Sequence, residues 1–389
     1  MRYPPLFARF RVAPAKWIAV VAGLAMIAAS TPAVAQKTAE AELRAAKART
    51  IAAGQKYLVD RGQAADGSYS SQAGIGVTAL VTTSLLRTGA KPTDAPIAKS
   101  LKYLEGFVQK DGGIYKPGSM FRNYETCLVV MCFRATADKK YDETLASADK
   151  FIRAGQIGAG DGVESGDAQY GGVGYGGNTR PDLSNTAFFV EALKSTGAAA
   201  DDQAIQRALA FVSRCQNLET EHNTTPFAAK NPDGGFYYTP TGEGSSPAGK
   251  TANGGLRSYG AMSYAGLKSM IFAGLTKDDP RVKAALTWAS KNYTVTENPG
   301  LGKAGLYYYL HLFSTAMDAS GTDTIKDANG KKHDWRADLI KALASSQSKD
   351  GSWVNEDKKW LESDPNLVTG YALLTLAYCE PKADAKAGK

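Results

Sequence analysis

A short turn recurs along this chain, and it constrains the fold more than any other feature. Asp66-Gly67-Ser68-Tyr69, Asp111-Gly112-Gly113 with Tyr115, Asp233-Gly234-Gly235-Phe236 and Asp350-Gly351-Ser352-Trp353 each set an aromatic residue after an Asp-Gly pair. Gly171-Gly172-Val173-Gly174-Tyr175 is a degenerate further copy, and Pro299-Gly300 ahead of Leu306-Tyr307 a weaker one. A unit repeated in this way cannot bury its apolar face alone, so it stacks on its neighbours.

Helical periodicity flanks every turn. The segments before the turns run over 42–61, 95–109, 143–156, 202–216, 280–291 and 335–347; those after them run over 76–88, 123–136, 184–196, 259–273, 304–320 and 365–379. Ala208, Phe211, Val212 and Cys215 fall at helical spacing, and Gly89, Gly197, Gly274 and Gly321 lie where a glycine ends a helix. The first set keeps a charged face, as in KSLKYLEGFVQK; the second is apolar on nearly all sides, as in LVTGYALLTLAYC. A helix that is apolar all round is buried. The expectation is an all-α fold, an (α/α)6 toroid with an inner ring of six helices around a lumen. An open superhelical solenoid is the alternative that stacks the same pairs.

The residues before the turn carry a resemblance. Arg207 to Val212 runs into Gln216, Leu101 to Val108 into Gln109, and Lys341-Ala342-Leu343 into Gln347, which opens QSKDGSW. This resembles the glutamine-to-tryptophan repeat of squalene and hopene cyclases, shared in looser form with protein prenyltransferase β subunits. Physically, the Gln amide can bond free backbone groups at helix ends, the Gly permits the sharp turn, and the aromatic covers the joint. The resemblance implies a scaffold and a hydrophobic, isoprenoid-like ligand; it does not by itself imply chemistry.

The family's catalytic motifs are missing. There is no DxDD acid cluster and no DDxxD; Asp201-Asp202 and Asp278-Asp279 open helices, where carboxylates meet the positive end of the helix dipole. The nearest approach to a zinc set is Glu125-Thr126-Cys127 with His311, but these belong to the second and fifth inner helices and face each other across a ring. Zinc needs its ligands within roughly 2.0–2.3 Å, so no metal site is expected. No cofactor motif is found, and whether the protein is an enzyme stays open.

Candidate site residues come from the inner helices. Thr78, Thr126, Thr186, Ser263 and Thr369 share one register and would line one level of the lumen, or else bond a carbonyl one turn back. On the fifth inner helix Tyr307, His311, Ser314 and Asp318 form a polar stripe beside Leu306, Leu310, Phe313 and Met317. His311, Tyr307 and Asp318 are therefore the candidate acid–base groups. Tyr124, Tyr264, Tyr308 and Tyr371 are candidate aromatic walls, or ordinary core packing.

Two long connections, 157–183 and 217–258, are rich in Gly, Asn, Thr and Pro and should cover the same mouth as the turns. They are a candidate lid or protein-partner surface. At the N-terminus, Arg2, Arg9, Arg11 and Lys16 precede the apolar run Trp17 to Ser30 and then Ala33-Val34-Ala35. This is the pattern of a signal peptide over 1–35, with a single domain over 36–381 and a disordered tail over 382–389. The run is short of the ~20 residues that span a bilayer, so no transmembrane anchor should survive processing, and the protein should be periplasmic or secreted. Losing the four basic residues takes the balance from 46 against 38 to 42 against 38. No basic cluster is interleaved with aromatics, so nucleic acid is not an expected partner. Cys127, Cys132, Cys215 and Cys379 sit in apolar patterns and read as buried small hydrophobes or as disulfide formers. The functional readings are an isoprenoid-binding repeat protein, an atypical terpenoid cyclase or transferase or a polysaccharide-active enzyme, and a non-catalytic interaction scaffold.

Overall fold

A computed structural model describes residues 32–176 and 180–380, so the expected leader falls largely outside the described residues and the expected tail wholly outside them. Contacts divide the chain into one unit up to Ala39 and another from Glu40 onward, and the second holds all the turns.

Twelve α-helices occur among the described residues, at the places the periodicity predicts. The odd-numbered helices precede the turns: α1 (Pro32–Tyr57), α3 (Ala95–Glu105), α5 (Asp142–Ala154), α7 (Gln203–Arg214), α9 (Pro280–Lys291) and α11 (Trp335–Ser346). The even ones follow them: α2 (Gly76–Arg87), α4 (Arg122–Ala135), α6 (Leu183–Ser195), α8 (Gly260–Phe272), α10 (Leu306–Ala319) and α12 (Pro365–Ala377). Besides isolated bridges, the β-structure among the described residues is one antiparallel hairpin, β1 (Ile325–Lys326) with β2 (Lys332–His333), which the sequence did not signal.

Helix starts follow local chemistry. Asp202 accepts the backbone N–H of Ala204 at 2.8 Å to open α7, and Asp279 that of Arg281 at 2.8 Å to open α9, so both acidic pairs serve as caps. Burial sorts the two sets of helices as expected. In α8 every residue from Gly260 to Met270 is buried, and in α12 every residue from Leu367 to Leu376, whereas α7 buries only one face.

The even helices pack in sequence: α2 on α4, α4 on α6, α6 on α8, α8 on α10 and α10 on α12, with α12 also packed on α2. The Gln of the turn motif joins successive pairs. Gln216 Nε2 donates to the carbonyl of Gly234 in its own turn (3.0 Å) and to that of Arg281 in α9 (2.9 Å). Gln156 does the same to Gly171 and to Ala204 of α7, and Gln347 to Gly351 and to Thr50 of α1. The last turn is thereby tied to the first helix. Gln109 differs, donating to Phe107 and Tyr115 instead. The turn glycine is required twice over: Gly351 has φ of 92°, and a Cβ there would lie 2.3 Å from the Ala53 carbonyl of α1. Among the described residues, no helix is long and apolar enough to cross a membrane.

Candidate ligand cavity

A cavity of about 560 Å³ lies at the N-terminal ends of the even helices. Its wall is aromatic on four of them: Tyr124 of α4, Phe188 of α6, Tyr308 of α10 and Tyr371 of α12. These rings form one cluster. Phe188 meets Tyr124 edge-on at 5.2 Å and lies nearly parallel to Tyr308 at 6.1 Å, and Tyr308 meets Tyr371 at 5.7 Å. Val77, Met262 and Leu367 add apolar surface. The Tyr308 and Ser184 hydroxyls bond each other at 2.9 Å, so the wall spends that polarity internally.

The long connections complete the wall. Tyr175 comes from the first, and Tyr238, Ser245, Ser246 and Pro247 from the second. They are held there because helix N-termini have unpaired N–H groups. The Tyr175 carbonyl accepts from Asn123 at 2.9 Å at the start of α4, and the Tyr238 carbonyl from Leu183 at 2.8 Å at the start of α6. At α10 a carboxylate takes this place: Glu362 accepts from Tyr308 at 2.8 Å, from Tyr307 at 3.2 Å and from Asn355 Nδ2 at 2.6 Å. Burial pushes its carboxyl up. At α2, Glu125 accepts from Ile75 at 3.3 Å and from Lys116 at 3.2 Å. Both acids line the cavity while engaged by the protein's own backbone. Trp360 and Leu361 stand at the rim, each half-exposed and each with a positive φ, of 53° and 64°.

One further acid lies behind the wall. Asp182 is buried, and desolvation lifts its carboxyl to about 6 against the hydrogen bonds from Asn185 and Tyr238 that favour the ionised form. Its Oδ1 also accepts the Asn185 N–H at 2.9 Å, capping α6. The sequence marked Tyr175 only as the aromatic of a degenerate turn, and Asp182 and Tyr238 only as parts of the long connections; none of these, nor Glu362, lies within a periodic stripe that would point to the cavity.

The five hydroxyls at one register face the turns, not the cavity. Thr78 accepts the N–H of Tyr69 at 2.9 Å, Thr126 that of Ile114 at 3.0 Å, and Thr186 that of Val173 at 3.1 Å. Ser263 accepts from Phe236 at 3.0 Å and Thr369 from Trp353 at 3.1 Å. Each buried hydroxyl pins the residue that follows a turn, and none is among the lining residues; this corrects their expected lumen-facing role. Tyr264 is also displaced from the expected wall. Its ring packs edge-on to Phe313 at 4.8 Å, among the core aromatics.

The candidate acid–base stripe is not brought together. Tyr307 is buried toward α11, its hydroxyl beside Ser346. Asp318 is about half-exposed and lies 3.6 Å from Arg336. His311 lines a second, smaller void of about 30 Å³ with Glu191, Arg87 and Tyr378. Burial lowers its imidazole to about 3, with Lys268 acting in the same direction, and its Nδ1 has no hydrogen-bond partner. Lys268 is buried and bonds Glu191 at 2.6 Å. Glu125 lines the large cavity and His311 the small void; among the described residues no three His, Cys, Asp or Glu side chains gather to hold a metal. All four cysteines are free and buried.

Fold and cavity together define a helical repeat protein with an aromatic-lined cavity. Residues 55–240, under half of the chain, match the squalene-hopene cyclase C-terminal domain. The solved type II terpene cyclase MstE from Scytonema has a similar fold. A variant of it in complex with geranylgeranyl dihydroxybenzoate, its substrate, is 12% identical with a TM-score of 0.56, over 87% of this chain and 98% of that one. The apo enzyme gives 12% and 0.52, over 85% and 98%. No curated protein matches the sequence. The likeness to these structures is one of fold, and the likeness in sequence is confined to residues 55–240.

Proposed function

We propose that this is an exported protein that binds a hydrophobic, prenyl-type ligand in the lumen of an (α/α)6 toroid. The toroid is supported by the closed order of helix contacts and by the Gln347 tie from the last turn to α1. The carrying observation for the ligand is the cavity itself. Its size is that of a small-molecule site, and rings from four helices give a largely apolar wall in which Tyr308, Glu125 and Glu362 are bonded within the protein. Such a wall suits a branched polyene chain better than a sugar, which needs free donors and acceptors. The fold's likeness to an enzyme solved with a geranylgeranyl substrate favours the same class. Export rests on residues 1–35, with cleavage after Ala35.

Mass spectrometry of an organic extract of the purified protein tests this reading. An isoprenoid enriched over an extract of the Met262→Trp variant, whose larger side chain narrows the cavity, is the expected result. Equal extracts from the two proteins would remove its support.

A catalytic version of the same site is favoured by Asp182. A carboxyl that titrates near 6 beside Tyr238, itself a cavity residue, can exchange a proton near neutral pH. Asp182→Asn keeps a cap for α6, so an enzyme would lose turnover while retaining ligand; a binding protein would show no turnover in either form.

A further inference from the structure

Phe188 is the one described residue that lines both the large cavity and the small void. Its ring is wedged between Tyr124 and Tyr308 and separates the two spaces. Above it the surface is apolar and aromatic. Below it Leu80, Leu128, Met131 and Leu374 line the void together with Glu191, one helical turn further along α6 and paired with the buried Lys268, and with His311, whose imidazole Nδ1 is unpartnered. Arg87, 5.7 Å over the Tyr378 ring, closes the far side of the same void.

We propose that Phe188 is the floor that sets the length of the prenyl chain this cavity accepts, with a void of only about 30 Å³ beneath it. The inference rests on the prenyl reading of the cavity. The stop has two parts. The ring blocks the path sterically, between neighbours that hold it on both sides. A chain end that passed it would find a void of only about 30 Å³, far smaller than a further isoprene unit, bounded in part by Glu191 and an unpartnered imidazole. Phe188 is therefore a specificity residue, and the small size of the void below it reinforces the limit.

The test is equilibrium dialysis of labelled farnesol, geranylgeraniol and geranylfarnesol against the wild-type chain, Phe188→Leu and Phe188→Ala, with circular dichroism to establish folding. The affinity for geranylfarnesol relative to geranylgeraniol should rise about tenfold in Phe188→Ala, with Phe188→Leu between, as expected when a hydrophobic pocket gains room for extra carbons. If Phe188→Ala does not fold, Phe188→Leu alone decides by the same shift. An unchanged ranking in folded variants that still bind prenols overturns the floor and leaves the prenyl reading standing. Failure of the wild-type chain to bind any of the three overturns that reading, and the floor with it.

Discussion

The Thr369 hydroxyl accepts the backbone N–H of Trp353 at 3.1 Å, joining α12 to the residue that ends the preceding turn. The bond recurs at Thr78, Thr126, Thr186 and Ser263, and it gives each buried turn amide a partner where water has no access. Thr369→Val keeps the shape and leaves the Trp353 N–H unpaired. It should cost about 1–3 kcal/mol in urea unfolding, with ligand affinity unchanged. A loss of affinity without a loss of stability would return these hydroxyls to the cavity.

The helix pairs were legible in the sequence because burial leaves a periodic trace: α8 and α12 are apolar all round, and Asp-Gly turns mark the joints. The hydroxyl register was legible too. Its direction was not, since a helix sequence does not say which neighbour a given face meets. The cavity was harder still. Tyr175 and Tyr238 are held by their carbonyls at helix N-termini, and irregular segments carry no period from which that could be read. The pairing of Lys268 with Glu191 joins α8 to α6, and nothing local in either helix announces it.

That pair gives a second prediction. Lys268 is buried at the end of an ion pair, so Lys268→Met leaves Glu191 without its partner and should destabilise the protein by about 3–5 kcal/mol. Combining it with Glu191→Gln should recover part of the loss in a double-mutant cycle.

His311 predicts an acid limb. Its folded pKa of about 3 lies below the unfolded value of 6.5, so the unfolded chain takes up the proton first. Stability from this group is whole above 6.5 and is lost as pH falls from there toward about 3. Chemical denaturation across that window should show a shallower slope for His311→Leu than for the wild-type chain. Asp182 acts in the opposite sense: its raised value stabilises the fold as pH falls from about 6 toward 4, and Asp182→Asn should steepen the decline.

The cysteines offer a simple check on the core. All four are buried and free, and desolvation pushes the Cys132 thiol up to about 12. The folded protein should leave a thiol reagent unreacted, and all four should react once it is unfolded in denaturant.

The most direct test of the ligand cavity is a titration of the chain from residue 36 onward with geranylgeraniol, followed by quenching of tryptophan fluorescence at the Trp360 rim. A saturable response with one ligand per chain, weakened at least about tenfold by Met262→Trp in a protein of unchanged helicity, is the predicted result. No saturable response, or equal affinity in the narrowed variant, would contradict a prenyl ligand in this cavity.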